Sequence, residues 1–338
     1  MKKNIVSLTK QLIRIKSTQG NPEMLGKALN LALSQLSGFT VEHFEKNGVK
    51  SVLVYNAAKR PAKFKIILNG HLDVVPGKEN RYKPVMEGNK LYGVGALDMK
   101  ASVSCLLKVF GEVAKKVSYP LALQLVTDEE VGGYNGTQYQ VEKGVSADFV
   151  IAAEPTNLNI VDKAKGILNV KITATGKTAH GAYPWRGVNA IWEMYAFLTT
   201  LKKEFPVPTR EEWVTTVNLS KIETSNTSLN KIPDDCSVLL DIRFIPENSD
   251  SILQKIKSLV PDTFTVQVLA HEPALLVSEA NEYIQNLKQI SEKITGDQVI
   301  LYGANGSSDA RHYTKIGTDG IEFGPIGGNI GADDEWVD

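Results

Sequence analysis

The chain is short of cysteine, of net charge and of long apolar runs, and each shortage excludes a class of protein. Only two cysteines occur in 338 residues, Cys105 and Cys236. They are too few and too far apart for a disulfide framework or a Cys-x-x-Cys metal site, so a reducing, intracellular setting is expected. Lysine plus arginine and aspartate plus glutamate both number 38. That balance leaves no basic field of the kind that attracts nucleic acid. No stretch approaches the ~18 consecutive apolar residues that a membrane-spanning helix needs. The opening MKKNIVSLTKQLIRIKS has two lysines but neither a continuous apolar segment nor a small-residue cleavage site, so it does not read as a secretory signal. A cytoplasmic protein with no nucleic-acid or membrane partner is expected. There is no internal repeat and no low-complexity linker.

What is there is a strong alternation of element types. Val6, Leu8, Leu12, Ile13 and Ile15 predict an amphipathic opening helix. Ser51–Tyr55, Phe64–Asn69, Leu121–Thr127 and Asp148–Ala153 read as short buried strands, with a long helix over Leu97–Val117 among them. This order, up to about residue 163, predicts an α/β layer built on a mostly parallel sheet. Then the pattern changes. Across Ile167–Thr175, Leu168, Val170, Ile172 and Ala174 share one face while Asn169, Lys171, Thr173 and Thr175 share the other, as in a strand with one wet side. A helix with a stripe of Ile191, Tyr195, Leu198 and Leu201 follows. Strands at Val214–Ile222 and Val238–Phe244, a helix near Ser251–Leu259 and a strand at Phe264–Leu269 complete a β-α-β-β-α-β order, that of the ferredoxin-like sandwich. After residue 275 the first pattern returns, with a helix through Ile284–Ile294, a strand at Gln298–Tyr302, a helix from Asp309 and a strand at Gly320–Phe323. The expected protein is α/β, with a discontinuous metal-binding catalytic domain at 1–163 and 275–338. An α+β domain is inserted at 164–274.

Chemistry concentrates where strands should end. His71 and Asp73 close the strand before NGHLDVVP, and residues two apart on a strand point the same way. Asp98 lies in YGVGALDMK, at the entrance of the long helix. Glu129 and Glu130 follow a strand in TDEEVGG, and Glu154 ends another in EPT. Alone, each has an ordinary explanation: a strand feature, a helix cap, a solvated turn. Together they place an imidazole and several carboxylates at the carboxyl ends of strands, where open α/β sheets bind ligands. Such a density of carboxylate is costly without a positive partner, and a divalent cation with nitrogen and oxygen ligands, most commonly zinc, supplies one.

These motifs, in this order and spacing, resemble the zinc-dependent amidohydrolase and exopeptidase family of acetylornithine deacetylase, succinyl-diaminopimelate desuccinylase, aminoacylase and carboxypeptidase G, over essentially the whole chain. The resemblance implies that His71 and Glu154 bind one zinc, that Asp98 bridges two, and that Glu130 binds the second. It implies that Asp73 holds the imidazole's tautomer and orientation. Glu129 would be the general base, taking a proton from metal-bound water as it attacks the amide of an N-acyl amino acid or small peptide. The stretch TAHGAYPWRGVNAI resembles the family's dimerisation signature. A homodimer through the insert is implied, with His180 reaching the partner's site to stabilise an oxyanion. Asn230, Arg243, Gly306 and Ser307 match positions that grip the substrate's α-carboxylate. For Arg243 a simple pairing with a neighbouring acid competes with that role. His43, His271 and His312 read as solvated or locally hydrogen-bonded.

The tail GNIGADDEWVD departs from the pattern. The family carries a metal-binding histidine at the position of Gly331, and here that side chain is missing. One tightly bound Zn2+ and a second, weak one are therefore implied, with Co2+ or Mn2+ able to substitute. Asn329, Asp333 and Asp334 offer oxygens nearby, and no spacing selects among them. Gly331 also carries the alternative of a catalytically impaired relative that binds acyl-amino acids or peptides. The sequence given stops at Asp338, where the family continues into a closing helix, which implies a fragment.

Overall fold

The structure, a computed structural model, describes residues 2–338. It divides into two compact units. One holds the described residues through Lys163 together with Leu275–Tyr302 and Ser308–Asp338, and the other holds Ala164–Ala274 and Gly303–Ser307.

The larger unit is built on a nine-stranded sheet. Its middle is parallel: Leu121–Val126, Phe64–His71, Ala147–Ala152 and Asp319–Glu322 lie side by side in that order. Strands covered on both faces read as near-continuous apolar runs, and every residue of Leu121–Val126 is buried, including Gln124, whose amide is hydrogen-bonded to Asn69 and Gln140. The edge strands run antiparallel. Thr40–Lys46 and Val49–Tyr55 form a hairpin at one side, and Ile160–Ala164 joins Asp319–Glu322 at the other. Helices Lys2–Ile13, Pro22–Leu33 and Ala101–Val113 cover one face through Leu8, Leu12, Leu29, Val103 and Phe110. On the other face Ile67, Ala122 and Val150 meet Val141 and Tyr313 from the short helices Thr137–Glu142 and Ala310–Thr314. Each fully buried side chain of this size contributes about 1.5–3 kcal/mol. The long helix expected over Leu97–Val117 is regular only from Ala101 to Val113, because Asp98 and Met99 have non-helical dihedrals. The strand expected at Gln298–Tyr302 is Leu301–Ala304.

A separate small antiparallel sheet matters for the site. Its strands, Val85–Glu87, Lys90–Tyr92, Trp336–Val337 and Gly327–Gly328, bring the end of the chain beside the glycine-rich loop that carries Asp98.

The smaller unit has four antiparallel strands in the order Thr216–Glu223, Asp235–Phe244, Gly166–Thr175 and Thr265–Glu272. Leu168, Val170, Ile172 and Ala174 are buried against helices Ala190–Glu204 and Ile252–Leu259. The first helix buries Ala190, Met194, Phe197 and Leu201. Two members of the expected stripe face outward instead, Ile191 at 37% and Tyr195 at 62% exposure. The helix is apolar around much of its circumference, so its entry decides which side goes in. Asn189 caps it by accepting from the Ile191 and Trp192 N–H groups, and the Ala190 N–H donates to Pro233 O, which turns the smallest residue toward the sheet. The segment Gly303–Ser307 belongs here through local contacts. Ala304 O accepts from the Lys165 N–H at 3.2 Å, and Asn305 Nδ2 donates to Glu211 Oε1 at 2.9 Å. Among the described residues no helix is long and apolar enough to cross a membrane.

Candidate metal centre

The parallel register sets the site. His71, the last residue of its strand, is level with Val126, and Asn69 is level with Ala152. The turns after these strands carry Glu129, Glu130 and Glu154, so the three carboxyl ends open onto one place. Asp98 arrives from the loop after Lys90–Tyr92. That loop needs its glycine at Gly95, where φ is +68° and a side chain would collide with Val74. Its amides are held by Glu335, which the sequence reading missed. Glu335 Oε1 accepts from the Leu97 and Asp98 N–H groups at 2.7 and 3.0 Å, and Oε2 accepts from the Gly95 N–H at 3.3 Å.

His71 and Asp73 are fully buried. The ring Nδ1 lies 3.0 Å from the Asp73 carbonyl oxygen, which can only accept, so Nδ1 carries the proton there. Nε2 is then left facing Asp98 Oδ1 at 2.9 Å, with Glu154 Oε2 at 3.9 Å. Two acceptors at such a distance repel unless a proton or a cation lies between them. Burial pulls the imidazole toward neutrality, but Asp73 and Asp98 outweigh it and hold its pKa well above the usual histidine value. The carboxylate of Asp73 is well supplied with donors. It accepts from the Glu129 N–H at 3.2 Å, the Glu130 N–H at 3.0 Å and Gln19 Nε2 at 2.9 Å.

The remaining carboxyls are short of positive partners. Burial, with Asp98 and Glu129 nearby, pushes Glu154 well above the carboxylate range. Burial and Asp98 bring Glu130 to about 7. Glu129 is also raised well above its ordinary value, chiefly by burial, with His71 and Arg311 opposing. His71, Asp98 and Glu154 offer ligand atoms that all lie within 4.8 Å of one another, the one such group among the described residues. Glu154 Oε1 is buried with no hydrogen-bond partner. A nitrogen and two carboxylates, one oxygen of which has nothing to bind, fit a divalent cation.

The comparisons with known proteins point the same way. The model of Peptidase family M20/M25/M40 matches residues 67–338. The chain belongs to that family. It is therefore a metallo-amidohydrolase or peptidase, acting on acyl-amino acids or peptides. A succinyl-diaminopimelate desuccinylase of Pelagibacter ubique is 28% identical over 363 aligned residues, covering 99% of this chain and 94% of the relative. A desuccinylase of Wolinella succinogenes is 26% identical, covering 100% and 95%. A tripeptidase of Staphylococcus aureus shares the fold, with a TM-score of 0.80, 19% identity and coverage of 99% and 93% of the two chains.

Within this M20/M25/M40 chain, the structure brings together His71, Asp73, Asp98, Glu129, Glu130 and Glu154. Glu130 does not join the compact trio, and its Oε1 accepts from the Val75 N–H at 3.2 Å. Gly331 sits on an exposed turn with φ +69°, near Val75. Of its neighbours, Asp333 pairs with Lys78 at 2.5 Å, and Asn329 donates to Asp334 at 2.7 Å. The other expected residues belong to the smaller unit. His180 is exposed, and its Nδ1 accepts from the Ala182 N–H at 3.1 Å. Asn230 O accepts from the Gly181 N–H at 2.7 Å. Arg243 Nε donates to Asp241 Oδ1 at 2.9 Å, the neighbour-acid pairing that its sequence context also allowed. Gly306 is exposed and Ser307 half-buried. His43 and His271 are exposed, whereas His312 is completely buried, with Nε2 3.0 Å from Gly132 O.

Glu335→Gln replaces one accepting oxygen by an amide that faces backbone N–H groups. Loss of such a support for a metal ligand typically lowers metal affinity about 10–100-fold. Calorimetric zinc titration should show this with an unchanged circular dichroism spectrum, and an unchanged affinity would contradict the support role.

Proposed function

We propose that this chain is a zinc-dependent hydrolase of the amide bond in N-acyl amino acids, of the deacetylase or desuccinylase type, or in small peptides, with Glu129 as general base. The observation that carries the reading is the His71–Asp98–Glu154 trio, a buried imidazole with two half-buried carboxylates and an unsatisfied Glu154 oxygen, placed beside Glu129. The desuccinylase relatives support the acyl-amino acid class.

His71, Asp98 and Glu154 would hold the first ion, and Asp98 with Glu130 a second. A bound zinc, or Co2+ or Mn2+ in its place, supplies a Lewis acid and acidifies water. The chain's own residues do the rest. Asp73 fixes the imidazole so that Nε2 faces the cluster. Glu129 takes a proton from the attacking water and delivers it to the leaving amine, which lets one carboxylate serve both halves of the reaction. In the smaller unit Asn230, Arg243, Gly306 and Ser307 would bind the substrate's carboxylate, with Arg243 exchanging Asp241 for it. Trp185 and Trp192 of that unit are 74% and 66% exposed, and Ile191 and Tyr195 also face outward. We read this face as the homodimer surface, with His180 acting in the partner's site. Gly331 favours a weak second metal position, and it also carries the second reading, a relative that binds these ligands with impaired turnover.

Glu129→Gln should keep the metal and the fold while losing about 10²–10⁴ in kcat. Unchanged kcat would remove Glu129 from the mechanism. After dialysis, elemental analysis should find about one zinc per chain, with a second recovered only in excess metal. Near-zero zinc would favour the binder, and two retained ions would show that Gly331 costs nothing. Mixing inactive Glu129→Gln and His180→Ala protomers should restore part of the activity by rebuilding one composite site. A fully active monomer in sedimentation would refute the shared site.

A further inference from the structure

Arg311 is a buried cation that the proposed chemistry leaves unused. It lies in the short helix Ala310–Thr314, is 3% exposed, and belongs to the same unit as the acid cluster. Burying a guanidinium costs several kcal/mol unless its donors are used. Here the two terminal nitrogens are used, and Nε has no hydrogen-bond partner. Nη1 donates to Ser308 O at 2.7 Å, within its own segment, and Nη2 donates to Gly132 O at 2.7 Å. Nη1 also stands 3.9 Å from Glu129 Oε1. Gly132 O takes a second bond from His312 Nε2 at 3.0 Å.

The turn that receives these bonds is Glu129–Gly133. The Gly132 N–H closes it onto Glu129 O at 2.7 Å, and the Gly133 N–H onto Asp128 O at 2.8 Å. Gly133 has φ +63°, and a side chain there would collide with Asp309 Oδ1, so the turn sits flush on the start of this helix. One face of Glu129 is thereby set by Asp73, through its N–H, and the other by Arg311. A distance of 3.9 Å is too long for a hydrogen bond but short for a guanidinium and an ionised carboxylate at a largely buried position. The guanidinium attracts the carboxylate without taking up its lone pairs.

We infer that Arg311 is a positioning residue for Glu129, fixing the 129–133 turn by its bond to Gly132 O and aiming the carboxylate by charge. The inference rests on the reading of Glu129 as the base. A planar fork is needed to reach Ser308 O, Gly132 O and the vicinity of Glu129 together, which a lysine ammonium cannot do.

The test is a double-mutant cycle on the zinc-loaded enzyme with its best N-acyl substrate. Arg311→Lys should lower kcat about 10–100-fold, as sub-ångström misplacement of a catalytic group does, with KM within about threefold and zinc content unchanged. In the Glu129→Gln background the same change should cost less than about twofold, since nothing remains to be aimed. Losses that multiply in that background, or a change confined to KM, would overturn the inference. If the lysine variant does not fold, Arg311→Ala with added guanidinium ion serves instead. Recovery of kcat at constant zinc content supports the role, and absence of recovery in a folded protein opposes it. The two readings fail separately. Full activity of Glu129→Gln removes the base, whereas an inactive Glu129→Gln with multiplicative losses removes only the role of Arg311.

Discussion

Three segments far apart in the chain meet at the carboxylate of Asp73, and the geometry of the metal centre follows from that meeting. Its two oxygens take the N–H groups of Glu129 and Glu130 and the amide of Gln19, while its own carbonyl fixes the proton on His71 Nδ1. One residue therefore sets the tautomer of the imidazole and the backbone position of both neighbouring glutamates. A buried carboxylate is stable only when its lone pairs are filled in this way. Because Asp73 and the two glutamates follow adjacent parallel strands, Phe64–His71 and Leu121–Val126, sheet register and site geometry are the same constraint.

Two positive charges, His71 and Arg311, must then serve several acids. His71 cannot do so alone, since its Nε2 faces Asp98 while Glu154 keeps an oxygen without a partner. Acid groups raised by burial beside one another are poised to exchange protons for a cation. The surrounding framework is stiff where that exchange would otherwise distort it. Glu335 grips the loop before Asp98, and Arg311 with His312 grips the turn after Glu129.

Much of this was legible in the sequence because it is local. A histidine and an aspartate two apart at a strand end, or two glutamates in a glycine turn, announce themselves by type and place. The parallel strands were legible from near-continuous apolar runs, and the Gly166–Thr175 strand from its alternation. What stayed hidden is long-range. Glu335 acts on amides more than 230 residues upstream, and nothing in DDEWVD marks which acid does so. The helix Ala190–Glu204 misled for another reason. With tryptophan, tyrosine and isoleucine on its outer side, hydrophobicity could not tell the packed face from the open one, and the cap at Asn189 decided it. The dihedral break at Asp98 and Met99 likewise had no signature in a segment whose apolar spacing suits a helix.

The segment Gly303–Ser307 makes the smaller unit inseparable by two cuts. The chain leaves the larger unit twice, once for Ala164–Ala274 and again, briefly, for these five residues. A graft of 164–274 alone would strand the Lys165 amide and Glu211 without their partners Ala304 and Asn305. A host left behind would carry an orphan loop just ahead of Ser308 and Arg311. Recombination that swaps this unit between relatives must therefore move both pieces together, which ties the inheritance of the insert to that of a loop lying some thirty residues beyond its end.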